Sequence, residues 1–198
     1  MKRFLTVVFL ALTFTQVSFA SDNPFKMGIL LTEGFTGSFN SDDEIGNMSG
    51  LMLSGNLPME IAFNPSASLV INPGIEISRL DPDDESSRSS YYNQLSLIYV
   101  DFAIMIRYNI SGGFFALGPQ ISLNTKASVN TKWSDEEQSI INSKEFSVVI
   151  SGGYRFHFGL ELGTKINYAL SSIFDTPYND INVKRINFQF SVGYWFLH

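Results

Sequence analysis

The sequence predicts an all-β fold, an eight-stranded antiparallel up-and-down transmembrane β-barrel. Apolar residues recur at every second position through most of the chain, which is the period of a strand rather than of a helix. The polar segments between these runs are alternately long and short, as in a barrel with long loops at one end and short turns at the other. The sequence has no run of 18 apolar residues that would mark a helical span.

The first 20 residues are predicted to be a signal peptide, which leaves residues 21–198 as a single barrel domain. The basic pair Lys2 and Arg3 precedes an apolar stretch, and Ala20 ends a small-residue cleavage site. This apolar stretch, of about 11 residues, is too short to cross a hydrocarbon core of about 30 Å as a helix. A removable leader is therefore favoured over a membrane anchor, and the protein is expected to be exported.

The composition excludes several classes of function. Removing Lys2 and Arg3 from the 13 basic residues leaves 11 against 19 acidic ones, a net charge of −8. Nucleic-acid binding is not expected, because it calls for clustered Lys and Arg. The absence of cysteine excludes disulfides, thiolate metal sites and a cysteine nucleophile. With only two histidines, no metal site, cofactor or catalytic residue is expected.

Eight alternating runs are predicted to be the strands, each longer than the 9–11 residues that a tilted strand needs to cross a bilayer. They cover residues 26–40, 49–63, 67–80, 92–109, 113–127, 144–157, 159–172 and 183–196. The last run is typical, since Ile186 and Phe188 share one face while Asn187 and Gln189 share the other. The longer connections hold most of the acidic residues, which predicts one strongly acidic rim.

Alternation alone fits two kinds of barrel. A soluble, lipocalin-like barrel that binds an apolar ligand turns its apolar face inward, whereas a membrane barrel turns it toward lipid. The polar face of these runs is mostly Gly, Ser, Asn and Gln, while a solvated strand surface normally carries many Lys and Glu. Tyr and Phe also recur near the ends of the runs, as interfacial girdles require. These features favour the membrane barrel.

The charged residues of the polar face are predicted to form a paired network inside the barrel. The interior of an eight-stranded barrel is narrow and filled by side chains, so buried charges there need partners. The alternative is a small conduction path lined by the same residues. The predicted network comprises Glu60, Glu76, Asp101, Arg107, Arg155, Glu161 and Lys165.

Four residues break the regular pattern. Glu33 lies on the apolar face of the first run, where a charge facing the bilayer is costly, and only a bulge at this position would turn it into the lumen. Pro58, Pro73 and Pro119 fall inside runs, and each removes a hydrogen-bond donor from the ladder. These prolines are expected at bulges or frayed strand ends.

The chain also resembles a known family. Its last strand resembles the C-terminal β-signal by which the barrel assembly machinery recognises outer-membrane barrels, carried here by Phe188, Phe190, Val192, Tyr194 and Phe196. Residues 98–108, 114–119 and 149–154 resemble, in order and spacing, the porin-family, PorT-like outer-membrane β-barrel domain. The resemblance implies the outer membrane of a Gram-negative-type bacterium and an accessory role in secretion.

The function expected from these features is non-enzymatic: envelope structure, surface interaction or a PorT-like accessory role. A rim-located enzyme that modifies lipid A is a further alternative, but His157 falls at a short turn and His198 ends the chain. The expected partners are outer-membrane lipid and lipopolysaccharide, and the assembly machinery through the last strand. Divalent cations are possible partners of the acidic segment at residues 81–85.

Overall fold

The computed structural model describes residues 25–40, 47–82, 94–130, 141–173 and 183–197. The signal peptide predicted for residues 1–20 lies outside this part of the chain. Within it, no helix is long and apolar enough to span a membrane. The strands are β1 (Phe25–Asn40), β2 (Met48–Asn56), β3 (Met59–Asn64), β4 (Ala67–Pro82), β5 (Gln94–Ile110), β6 (Gly113–Asn130), β7 (Lys144–Arg155), β8 (Leu160–Ala169) and β9 (Val183–Leu197).

All nine strands belong to one closed antiparallel sheet. β2 and β3 form a single barrel strand interrupted at Leu57 and Pro58, because both pair with β1 on one side and with β4 on the other. The remaining strands pair in chain order, and β9 pairs with β1 along nearly its whole length. The result is an eight-stranded barrel without a free edge, which confirms the predicted fold class.

The apolar face of each strand points out of the barrel. Phe188, Ile104 and Leu162 are 42%, 42% and 43% exposed, whereas Glu161 and Arg107 are 4% and 3% exposed. A soluble barrel of the lipocalin type would show the reverse pattern, with its polar residues in water. The orientation therefore rules out the soluble alternative and supports an outer wall that contacts lipid.

No bulge turns Glu33 into the lumen. Glu33 pairs in unbroken register with Leu53 on one side and Phe190 on the other, and its side chain stays exposed on the outer wall. The register shift in β1 comes just before Gly28 instead. A Cβ on Gly28 would lie 2.8 Å from the Tyr194 carbonyl oxygen and 3.0 Å from the Trp195 ring, so this position has no room for a side chain.

The prolines lie at irregularities of the ladder, but not all at bulges or strand ends. Pro58 interrupts the strand between β2 and β3, and Pro73 lies at the same irregularity in β4, where its carbonyl accepts a 2.9 Å hydrogen bond from the Leu57 N–H. Pro119 lies inside the continuous strand β6, so the prediction is wrong for this residue. The ladder to β5 omits Gly118 and Pro119, which leaves the missing donor at a local gap.

At Gly118 the backbones of β5 and β6 lie so close together that only a residue without a side chain fits. A Cβ at Gly118 would collide with the Ile104 carbonyl oxygen and lie 2.7 Å from the Cα of Met105. We expect Gly118→Ala to lower the free energy of unfolding by about 1–3 kcal/mol, because two backbones cannot separate without losing ladder bonds. Urea unfolding of the detergent-folded protein, followed by the gel mobility of unheated samples, measures this change.

The matched control for Gly118→Ala is Gly55→Ala. A Cβ at Gly55 has its nearest neighbouring atom at 3.8 Å, on Leu31. This variant should be neutral or slightly stabilising, because alanine loses less backbone entropy on folding. Equal destabilisation by both variants would contradict the steric explanation.

Candidate functional site

The candidate functional site is the lumen, where the charged side chains of the strands gather. The turn-end cluster lies beside the short turns and consists of Glu60, Arg107, Arg155 and Glu161. The loop-end cluster lies toward the longer connections and consists of Glu76, Glu145 and Arg185. Asp101 and Lys165 are also buried on the inner face of their strands.

The turn-end cluster is a chain of four alternating charges. Arg155 and Glu161 pair directly across the β7–β8 hairpin, and Arg155 Nε donates to Glu161 Oε2 at 2.9 Å. Arg107 Nη2 donates to the same oxygen, also at 2.9 Å. Arg155 Nη2 lies 2.7 Å from Glu60 Oε2. Two carboxylates are thereby balanced by two guanidinium groups, as burial of such charges requires.

Aromatic rings cover both guanidinium groups of the turn-end cluster. The Arg155 guanidinium lies 3.8 Å from the centre of the Trp195 ring, and that of Arg107 lies 3.6 Å from the centre of the Phe114 ring. Trp195 is fully buried. Cation–π contacts contribute about 2 kcal/mol when desolvated. The rings and ion pairs together close the lumen near the short turns.

Arg185 is the centre of the loop-end cluster. It is only 1% exposed and donates to both carboxylate oxygens of Glu145, at 2.9 and 3.1 Å. Its Nη1 also donates to Glu76, and its guanidinium lies 4.5 Å from the centre of the Tyr99 ring. Bidentate, charge-assisted hydrogen bonds of this kind are among the strongest in proteins. One side chain of β9 thereby connects β4 and β7 across the lumen.

An apolar cap lies between the loop-end cluster and the longer connections. Its inward-facing side chains are Met48, Leu80, Leu95, Leu97, Tyr99, Ala127, Ile141, Ile173 and Val183. The cap keeps water away from the ion pairs beneath it, which strengthens their attraction and raises the cost of breaking them. The lumen is therefore filled at both ends, by different chemistry.

Asp101 and Lys165 are in the lumen but do not join either cluster. They are 2% and 5% exposed, and neither forms an ion pair within 4 Å among the described residues. Asp101 lies within electrostatic range of Lys165 and Glu76. Lys165 lines a cavity of about 40 Å³ that Trp195 also lines. Most of its lining is apolar, and its volume is large enough for one or a few water molecules.

The sequence-based set missed two residues of the lumen, Arg185 and Glu145. Both follow from strict alternation, since Ile186 and Phe146 point outward and their neighbours must point inward. Both lie within the predicted runs at 144–157 and 183–196, so applying the alternation to every residue of these runs would have found them. Five of the seven predicted residues form ion pairs in the structure, namely Glu60, Glu76, Arg107, Arg155 and Glu161.

The other predicted residues lie outside the lumen. Phe188, Phe190, Val192, Tyr194 and Phe196 of the predicted β-signal lie on the outer face of β9, the strand that closes the barrel against β1. His157 is exposed in the turn between β7 and β8, and His198 lies outside the described residues. Of the acidic segment at 81–85, only residues 81 and 82 are described. No group of three metal-ligating side chains occurs in the described ranges.

Arg185→Met should be strongly destabilising. Removing one partner of a buried ion pair leaves uncompensated charge, here on Glu76 and Glu145, at a cost of about 3–5 kcal/mol. The free energy of unfolding in urea measures the loss, and adding Glu76→Gln and Glu145→Gln should recover much of it. Arg79→Met, which removes an exposed 3.9 Å ion pair with Asp81, should cost less than about 1 kcal/mol. Similar losses for both arginines would contradict the assignment.

Arg107→Met should cost less than Arg185→Met. Glu161 keeps its 2.9 Å contact with Arg155 when Arg107 is removed, whereas neither carboxylate of the loop-end cluster has a second arginine within 4 Å in the described part of the chain. The same urea titration ranks the two variants. An Arg107→Met protein with unchanged stability would exclude a structural role for the turn-end cluster.

Comparison with known proteins agrees with this geometry. Neisserial surface protein A (NspA) is similar in fold, with a TM-score of 0.57 and 16% identity, over 85% of this chain and 96% of that chain. Ail, the attachment invasion locus protein of Yersinia pestis, gives a TM-score of 0.45 at 15% identity, over 85% and 97% of the two chains. The likeness to NspA concerns the fold alone. No curated protein matches the sequence.

The family assignment comes from the sequence. Residues 3–175 match the family described as the outer membrane protein beta-barrel domain, which is most of the chain. The closed sheet, the apolar outer wall and the polar lumen are the features that such a domain needs in a bilayer. The chain is an outer-membrane protein and belongs to the outer membrane protein beta-barrel domain family.

Proposed function

We propose that this protein is a non-enzymatic scaffold that holds its long acidic connections at the cell surface, for surface interaction or envelope structure. The observation that carries the proposal is the filled lumen. Arg185 and its partners are buried across the barrel, beneath the apolar cap. A lumen filled in this way argues against passage of solutes and leaves the ends of the barrel as its working surfaces.

The chemistry of the described residues supports a role without catalysis. His157 is their only histidine, and it packs against Phe158 with ring centres 5.4 Å apart, in a short turn. The carboxylates of the loop-end cluster lie under the apolar cap, where a lipid substrate cannot reach them. An enzyme acting on lipid A would need an acid or base at the loop rim.

The positions of the turns support a loop end that faces outward. Residues 65–66, 111–112 and 156–159 form short turns at the end of the barrel where β1 begins and β9 ends. Outer-membrane barrels have their short turns in the periplasm and their longer loops outside. The acidic residues of the long connections, most of them outside the described residues, then face the exterior.

The PorT-like resemblance of residues 98–108, 114–119 and 149–154 favours a different role, as an accessory of secretion. In the scaffold proposal the acidic loops make the contacts of the protein, whereas a secretion accessory changes which proteins leave the cell. The two roles therefore differ in the set of secreted proteins, which is measurable.

The experiment compares cells that lack the protein with cells complemented by the natural chain or by a variant with Asp83→Ser, Asp84→Ser and Glu85→Ser. We expect the variant to restore the amount of barrel in the outer membrane but not the surface charge or cell adhesion. Unheated gel migration and surface labelling control for folding and display. Unchanged surface properties in all strains, together with altered secreted proteins, would replace the scaffold proposal with the secretion role.

A further inference from the structure

The outer wall of the barrel carries four cations at one level. We call Arg79, Lys126, Lys144 and Lys184 the basic belt. Each lies within five residues of the loop end of its strand, in β4, β6, β7 and β9 respectively. All four are on the outer face, because residues directly opposite in a ladder share a face. Their ladder partners are the outward-facing residues Leu51, Ile98, Leu123 and Phe39.

The distribution of charge on this wall is one-sided. Among the described residues, the other charges on the outer face are Glu33, at mid-strand, and Asp81, beside Arg79. Toward the short turns, Lys26 lies opposite the inward-facing Glu60 and belongs to the inner face. The outer wall therefore carries its cations only near the loops.

The side chains of the basic belt are available to a ligand. The three lysines form no ion pair within 4 Å in the described part of the chain. Arg79 has only Asp81, at 3.9 Å, and both side chains are at least half exposed. An isolated contact of that kind is weak. The guanidinium and the ammonium groups thus keep most of their capacity to donate.

The level of the basic belt corresponds to the membrane interface. A lysine or arginine facing lipid costs about 2–4 kcal/mol at the bilayer midplane but about 0–1 kcal/mol near the interface. Long side chains bury their methylene groups along the apolar wall and extend the charge toward the headgroups. At that level the anionic groups that meet them are phosphates, which form charge-assisted hydrogen bonds with both residue types.

We infer that the basic belt binds the phosphate groups of lipopolysaccharide, the phosphorylated glycolipid of the outer leaflet. The inference rests on the proposed orientation, in which the loop end faces outward. The acidic connections beyond the belt repel phosphates, so direct contact is made at the wall below them. The barrel thereby selects an anionic lipid on one side of the membrane only.

The test is a titration of the folded, detergent-solubilised protein with fluorescent diphosphoryl lipid A. Near a membrane surface each lysine contributes about 1 kcal/mol to the attraction of an anionic lipid, which is about a five-fold change in affinity. We expect the triple variant Lys126→Gln, Lys144→Gln and Lys184→Gln to bind at least ten-fold more weakly. Lys26→Gln removes one charge from the opposite end and should bind like the natural protein.

Two further measurements make the result specific to phosphate and to lipid A. Lipid A without phosphates should bind the natural protein as weakly as diphosphoryl lipid A binds the triple variant. Phosphatidylglycerol should compete poorly, and equal competition would overturn the assignment to lipopolysaccharide. Undiminished binding of diphosphoryl lipid A by the folded triple variant would overturn the inference altogether.

Folding and orientation are separated from binding in this design. Migration of unheated samples in gels reports whether each variant is folded. If the triple variant fails to fold, the three single variants replace it, and each should bind diphosphoryl lipid A about five-fold more weakly. Detergent micelles have no inner and outer side, so a failure to bind counts against the basic belt and not against the outward position of the loops. Single variants that all bind normally would also overturn the inference.

Discussion

The pairing of β9 with β1 is the constraint on which the rest of the structure depends. A bilayer offers no water to satisfy backbone donors and acceptors, so a sheet can cross it only when every edge is paired. Closure leaves few exceptions in this barrel. The strand interruption at Pro58 faces Pro73. The ladder gap between β5 and β6 includes Pro119, which has no N–H to donate. The irregularities are therefore confined to positions that proline already disrupts.

Closure also determines the chemistry of the interior. Once the apolar faces point outward, polar and charged side chains occupy a narrow space with little water, where each charge must be compensated. Near the loops, Arg185 compensates the charges of two carboxylates from distant strands. Near the turns, Arg107 and Arg155 share Glu161. The second arrangement tolerates the loss of one partner better than the first.

The two ends of the barrel differ in how they are closed and in what surrounds them. Trp195 and the guanidinium groups of the turn-end cluster close one end, and the apolar cap closes the other. The outer wall follows the same division, since the basic belt lies only near the loops. The proposed surface role rests on this combination of a filled interior and an asymmetric outer wall.

The amino-acid sequence alone determined the strands, their order and the membership of each face, because a side-chain period of two is a property of the local chain. It predicted the lumen positions of Glu60, Asp101 and Lys165 for the same reason. Alternation is identical in a soluble barrel, so the composition of the polar face only favoured an outward apolar face, and the tertiary structure decided it. It also decided that Arg185 meets Glu76, 109 residues away along the chain. Which side chains form ion pairs across a lumen depends on the register of the strands and on the reach of the side chains. The alternating pattern of a single strand determines neither.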